Sequence, residues 1–292
     1  MNRQVATKLN LLGEQLAERG WLTEAQNAYL EAIEADEDWA VPWLNLGLLH
    51  KRACDWRKAR RYTLQATELE PSNQSAWWNL GIAATALRDW IEARRAWRQC
   101  GLEAADGDGP VEIDLGPAPI RLQAHGEDDE VVWCRRTDPA RAVVAGVPLP
   151  HARRRHGDVL LHDGEPTGHR VLDGKRLPVF DEIELFEASE LSTFAVTVLA
   201  TGVGALAELE ERARSMALCA VRWPDTVVPL RAAPGGFALD GLLHAGSQTE
   251  GRRVLGVAAR SEREVAELLG EWEQHNQGCR ARFQLCLTPA EQ

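Results

Sequence analysis

The sequence predicts a multidomain chain: an all-α array of three helix pairs, then a β-rich domain, then an α+β domain. Three observations predict it. An amphipathic pattern recurs every 34 residues, so that Trp43-Leu46-Gly47 falls on Leu9-Leu12-Gly13 in one direction and on Trp77-Leu80-Gly81 in the other. The helical period stops at Gly107-Asp108-Gly109-Pro110. Beyond that breaker, short alternating apolar runs take over, and helical runs rejoin them after residue 192. A fixed period of this size marks a helical repeat array, because each helix pair must bury its apolar face against the next.

Residues 6–39 form the first repeat, with helices over 6–19 and 22–35 and a turn at Arg19-Gly20. Residues 40–73 form the second. Pro42 suits the first turn of its helix, where a missing N–H costs nothing. Asp55 is placed to cap the next helix, and Pro71-Ser72-Asn73 stops it. Residues 74–107 form the third, with Asp89 as the equivalent cap. No fourth amphipathic helix follows Leu102, so the cap that such arrays need is expected from the β-rich domain.

Residues 110–190 alternate as half-buried strands do: Val111 to Leu115, Ile120 to Leu122, Glu130 to Cys134, Ala142 to Ala145, Asp158 to Leu161 and Glu182 to Phe186. Gly and Pro punctuate at 116–119, 146–150, 164–168 and 174–178. From 192 the order is strand (193–199), helix (204–216), strand (218–223), then strand (253–258), helix (261–275), strand (282–287). Ser261-Glu-Arg-Glu264 is a capping box. Two strand–helix–strand units in series predict a ferredoxin-like sandwich, with 224–250 an inserted hairpin or loop. The division expected is 6–107, 110–190 and 192–292, with 110–292 as a single unit the alternative.

The repeats resemble the tetratricopeptide repeat (TPR) family. Its large residue, Leu-Gly pair, small alanines and closing proline correspond to Trp43, Leu46, Gly47, Ala59, Ala66 and Pro71 in the second repeat. The third holds Trp77, Leu80, Gly81, Ala93 and Cys100, and the first Leu9, Leu12, Gly13, Ala25 and Ala32. Glu37 and Ala105 replace the closing proline in the first and third. The resemblance covers about a third of the chain and implies close helix packing at the glycines and a concave face lined by the first helix of each pair. That face would carry Thr7, Asn10, Leu11 and Glu14; then Val41, Leu44, Asn45, Leu48, Lys51 and Arg52; then Ser75, Trp78, Asn79, Ile82 and Thr85. Asn45 and Asn79 are equivalent, and two carboxamides in register can donate to and accept from a peptide backbone. The expected partner-binding groove is therefore Asn10, Leu44, Asn45, Leu48, Lys51, Trp78, Asn79 and Ile82. Family members that hold a chaperone's C-terminal carboxylate do so with Lys and Arg at places occupied here by Asn10, Ser75 and Asn79. Only Asn45 matches, so a chaperone tail is not expected: without cations the carboxylate loses its charge-assisted bonds.

Composition sets the broad class. Apolar residues make up 45% of the 292 and charged residues 26%, ordinary for a globular protein. No apolar run reaches the ~18 residues of a membrane span, and the N-terminus lacks the apolar centre of a signal peptide. A cytoplasmic protein with no membrane partner is expected. The six cysteines, at 54, 100, 134, 219, 279 and 286, form no CxxC pair and read as reduced thiols. Of the net charge of −11, residues 1–107 carry −2 and residues 108–292 carry −9. An acidic second half, with few aromatics among its basic residues, argues against nucleic acid.

The segment His151 to His169 holds four histidines and three adjacent arginines, Arg153 to Arg155. It reads as surface polar residues, as a metal or catalytic site, or as an anion contact. It lacks the HxH, HxxxH and HExxH spacings, and the arginines repel a cation. Gly202-Val-Gly204 lacks the third glycine of a phosphate-cradling turn. No catalytic residue, metal or cofactor is expected. The function expected is a protein-interaction adaptor or scaffold that binds a peptide or partner surface in the groove. The alternative is an enzyme or ligand or metal sensor with its site in 110–292 and the repeats as a targeting arm.

Overall fold

The computed structural model describes residues 2–122, 130–172, 175–200, 204–223 and 252–289. The chain divides into two compact units, Met1–Leu115 with Arg136–Ala140, and Gly116–Arg135 with Arg141–Gln292.

The first unit holds six helices: α1 (Arg3–Glu18), α2 (Leu22–Ala35), α3 (Ala40–Arg52), α4 (Trp56–Leu69), α5 (Gln74–Ala86) and α6 (Trp90–Gln99). The 34-residue step is literal. Helix α4 begins and ends 34 residues after α2, and α5 likewise after α3. The expected caps form: Asp55 accepts from the Lys58 N–H at 3.3 Å and Asp89 from that of Glu92 at 3.2 Å. Each satisfies a donor that the helix start leaves without an internal partner.

Close helix approach falls where the glycines stand. A Cβ on Gly13 would lie 2.5 Å from the Tyr29 ring, on Gly47 2.5 Å from Thr63 Cγ2, and on Gly81 2.6 Å from the Trp97 ring. The partner is always the residue sixteen positions on, so one contact is made three times with Tyr, Thr and Trp. Leu46, Leu80 and Trp97 are fully buried.

The segment after α6 is tied down on it. Arg94 donates to the carbonyls of Ala105, Gly107 and Gly109, and Arg98 to that of Ala104 at 2.7 Å and to Asp106 at 2.6 Å. The chain's own residues 104–109 thus supply cover for the last helix. Next to them, Ile113 N–H bonds Thr137 O at 2.7 Å and Leu115 N–H bonds Arg136 O at 3.0 Å.

Among the described residues the second unit holds ten strands in two sheets. Strands β1 (Gly116–Arg121), β2 (Val131–Arg136), β3 (Arg141–Val144), β4 (Val159–His162) and β6 (Lys175–Glu187) follow one another in that order. A parallel contact between β1 and β6, Ile120 opposite Phe180, closes a five-stranded barrel. Strand β5 (Gly168–Leu172) pairs with the first half of β6. Ile120, Leu122, Cys134, Ala142, Val144, Leu160 and Phe180 fill the barrel. The expected punctuation fails at two places: 116–119 lies within β1, while 111–115, expected as a strand, precedes it, and β6, which starts at Lys175, runs straight through Pro178, opposite His169 on β5. The charged side chains around it hid the strand.

The second sheet has the order β10-β7-β9-β8, antiparallel throughout: β7 (Ser192–Leu199), β8 (Cys219–Arg222), β9 (Arg252–Ala259) and β10 (Arg280–Leu287). Helices α7 (Ala205–Ser215) and α8 (Glu262–His275) share one core with it, and Trp272 Nε1 donates to Ala205 O at 2.8 Å. The expected capping box at Ser261 and Glu264 is present. Along β7, Phe194, Val196 and Val198 join that core while Ala195 packs on the opposite side with Val147, Leu149 and Trp223. Burial on both faces accounts for the unbroken apolar run. Trp223 Nε1 donates to Val147 O at 2.9 Å, and Gly256 makes room for its ring. The expected insertion 224–250 and most of the Gly202-Val-Gly204 turn lie outside the described residues.

Glu130 sits at the entrance to β2, where both carboxylate oxygens face the Leu149 N–H at 3.1 and 3.2 Å. Burial pushes its carboxyl up to about 7, against that hydrogen bond, from an ordinary 4.5. The folded value lies above the unfolded one, so the stability tied to protonation is full below pH ~4.5 and lost as pH rises through ~7. Going from pH 5 to pH 8 should cost the second unit about 2 kcal/mol. Denaturation midpoints across that range check this: the slope should vanish in Glu130→Gln.

Candidate partner-binding groove

The first helices of the first two pairs, α1 and α3, flank a recess. Glu14, Ala17 and Glu18 of α1 line one wall, Asn45, Leu48, Leu49 and Arg52 of α3 the other, and Tyr29 of α2 closes the end. The spacing of Glu14, Ala17 and Glu18 puts them on one helix face, as it does Asn45, Leu48, Leu49 and Arg52.

The polar floor is pre-ordered. Asn45 Nδ2 donates to Asn10 Oδ1 at 3.0 Å and to Glu14 Oε1 at 3.1 Å, and Asn10 Nδ2 donates to the same Glu14 oxygen at 2.9 Å. Two amide donors on one carboxylate oxygen hold Glu14 in a single orientation. Tyr29 is 3% exposed. Its hydroxyl is pushed up to about 12, first by burial, then by Glu14; Arg52 opposes this and Glu18 adds to it. Tyr29, Glu14, Arg52 and Glu18 therefore share one electrostatic neighbourhood.

The expected groove residues fall into three groups. Asn45 and Leu48 line the recess, and Asn10 braces it. Leu44, Lys51 and Trp78 are half-buried outside it, with Trp78 edge-on to Trp97 at 5.2 Å. Asn79 and Ile82 are buried, at 8% and 0% exposure, so neither is open to a ligand as expected. Asn79 Nδ2 is bonded to Ser75 O at 2.8 Å. The reason is α5 itself, QSAWWNLGIAATA, which is small or apolar on every face and has nine of its thirteen residues buried; such a helix sits inside. Glu18 and Tyr29 were missed. Tyr29 comes from a second helix, and it reaches the recess only because Gly13 lets its ring past.

The His151–His169 segment splits up. His156 Nδ1 bonds Gly146 O, the buried His162 bonds Asp163 O through Nδ1, and His151 and His169 are exposed. Arg154 pairs with the buried Glu182, and Arg155 with Asp158, so two of the three arginines are committed inside the unit. Among the described residues, no group of three or more His, Cys, Asp or Glu is placed to hold a metal ion. Burial and the charge of Glu182 push the Cys134 thiol up, the reverse of what a nucleophile needs.

No protein-family model and no curated protein matches the chain. Similar solved structures include TPR domains. One is the second TPR of Spaghetti (RPAP3) bound to the HSP90 peptide SRMEEVD, at 23% identity over 34% of this chain and 91% of that chain, TM-score 0.33. The Arabidopsis OM64 TPR domain is 21% identical over 34% of this chain and 83% of that chain, TM-score 0.33. The TPR2B domain of yeast Sti1, in complex with a pHsp70 peptide, is 18% identical over 33% of this chain and 78% of that chain, TM-score 0.32. Two of these structures hold a chaperone peptide, HSP90 in the first and pHsp70 in the third. Among the described residues, no helix is long and apolar enough to cross a membrane.

Proposed function

We propose that the chain is a protein-interaction adaptor and that the recess between α1 and α3 takes a peptide segment or a partner's surface. The observation that carries this reading is the pre-ordered polar floor, Asn10–Asn45–Glu14, beside the half-buried Leu48. Carboxamides and a carboxylate held in place lose little freedom on binding. The chain's last hundred residues read as a ferredoxin-like domain, supported by the strand order β10-β7-β9-β8 with both helices in one core. The division into 6–107, 110–190 and 192–292 goes with it, and the two-unit division of the chain supports the alternative that 110–292 is one unit. Six free cysteines suit a reducing, cytoplasmic setting. An enzymatic or metal-sensing site in 110–292 draws less support, because the His and Arg side chains that prompted it are dispersed or internally paired.

The test is affinity isolation from native lysate with the wild type and with Asn45→Ala/Leu48→Ala, two positions outside the fully buried core. A protein captured by the wild type and at least tenfold depleted with the variant supports the groove. Identical captures, with circular dichroism unchanged, move the function to the second unit.

A further inference from the structure

An acidic helix face and an unpartnered tyrosine meet in the recess. Glu14 and Glu18 stand one turn apart on α1, on the same face. Glu14 cannot swing away, because Asn10 and Asn45 both hold it. Tyr29 is 97% buried by its 3% exposure, lines the recess, and has no hydrogen-bond partner among the described residues for its hydroxyl. The hydroxyl is not among the buried polar atoms left without a partner, so it reaches solvent on the recess side and stands available to accept a hydrogen bond from a ligand. Arg52 also lines the recess and makes no ion pair among the described residues. Two carboxylates against one guanidinium leave the site net negative. Ala17, Leu48 and Leu49 supply apolar wall between the charged groups.

We propose that this recess holds a lysine or arginine side chain of the bound segment, its methylenes along Ala17 and Leu48 and its cationic head between Glu14, Glu18 and the Tyr29 hydroxyl. The selection is electrostatic. An acidic side chain meets two carboxylates, and a neutral one leaves an acid without a counterion as it is desolvated. A cation restores the balance, and the Tyr29 oxygen accepts a hydrogen bond from it. This rests on the adaptor reading and adds to it the chemistry of the partner.

The chain has only two tyrosines, Tyr29 and Tyr62, so ring-labelled tyrosine gives two readily separated NMR signals, with Tyr62→Phe assigning them. The probes are acetylated, amidated octapeptide pools of random sequence with one central residue fixed as Lys, Arg, Gln or Glu, titrated into the full chain. The Lys and Arg pools should shift the Tyr29 signal and bind at least about tenfold tighter than the Gln and Glu pools. Glu18→Gln, which removes no internal hydrogen bond, should cut that preference severalfold, and Glu14→Gln/Glu18→Gln should abolish it. Equal binding of all four pools with a Tyr29 shift overturns the cation proposal and leaves the adaptor reading standing. A Lys preference that survives both substitutions overturns the assignment to these carboxylates. If no pool moves Tyr29, the cation proposal fails; the adaptor reading fails with it only if lysate capture is also unaffected by Asn45→Ala/Leu48→Ala.

Discussion

Trp97→Ala should cost the helical unit about 3–5 kcal/mol, the largest effect of any single truncation in it. Trp97 is fully buried and makes two contacts with α5 at once. Its ring lies against Gly81 of the partner helix, meets Trp78 edge-on at 5.2 Å, and closes α6 on α5. Gly81→Ala attacks the same contact from the other side. Alanine is the better helix former by about 1 kcal/mol, yet its methyl would stand 2.6 Å from the Trp97 ring, and overpacking of that kind costs about 1–3 kcal/mol. A net loss is therefore expected at Gly81. Gly270 of α8, with nothing within 4 Å of a built Cβ, should instead gain from the same change. Denaturant melts followed at the helix band would read all three. A stabilised Gly81→Ala would mean that the repeat glycines serve no packing purpose here.

Asp158→Ala should destabilise the second unit by about 3–5 kcal/mol, by leaving a buried cation uncompensated. Asp158 is completely buried. One oxygen accepts the Ser189 N–H at 2.7 Å, and the other accepts the Arg155 N–H at 2.7 Å. Its carboxylate also lies 3.6 Å from Arg155 Nε. Arg155, 6% exposed, in turn reaches across to Thr288 O at 2.6 Å beyond the last strand. The truncation thus strands two N–H groups and one guanidinium. Asp158→Asn keeps the shape and an acceptor and should lose about half as much. Adding Arg155→Met to Asp158→Ala should recover part of the loss, because the stranded charge goes too. Chemical denaturation of the four proteins decides it: a double variant no better than Asp158→Ala would place the cost in the two N–H groups alone.

The candidate site was half legible beforehand. Asn45 and Leu48 follow from the 34-residue register together with the concave face that the TPR resemblance implies, and both line the recess. Asn79 is the same residue one repeat later, but it is buried because α5 is covered over most of its surface, with nine of its thirteen residues buried. Register identifies equivalent positions; it says nothing about how deeply each is covered. The three arginines at 153–155 teach the same lesson: adjacent in sequence, they point to different partners once Glu182 and Asp158 are brought beside them from other elements.

What the sequence determined by itself was everything governed by local periodicity and end chemistry. The three helix pairs with their 34-residue step, the limits 22–35 of α2, the Asp55, Asp89 and Ser261 caps, and most strand positions follow from which residues recur at 3.6 or 2 and which side chains can bond a free N–H. Only the tertiary structure decided the rest. Closure of the barrel by β1 on β6, passage of β6 through Pro178, and the placement of Tyr29 opposite Glu14 each join residues far apart in the chain. Such pairings are selected by shape and burial summed over many residues, and no single stretch of sequence carries that sum.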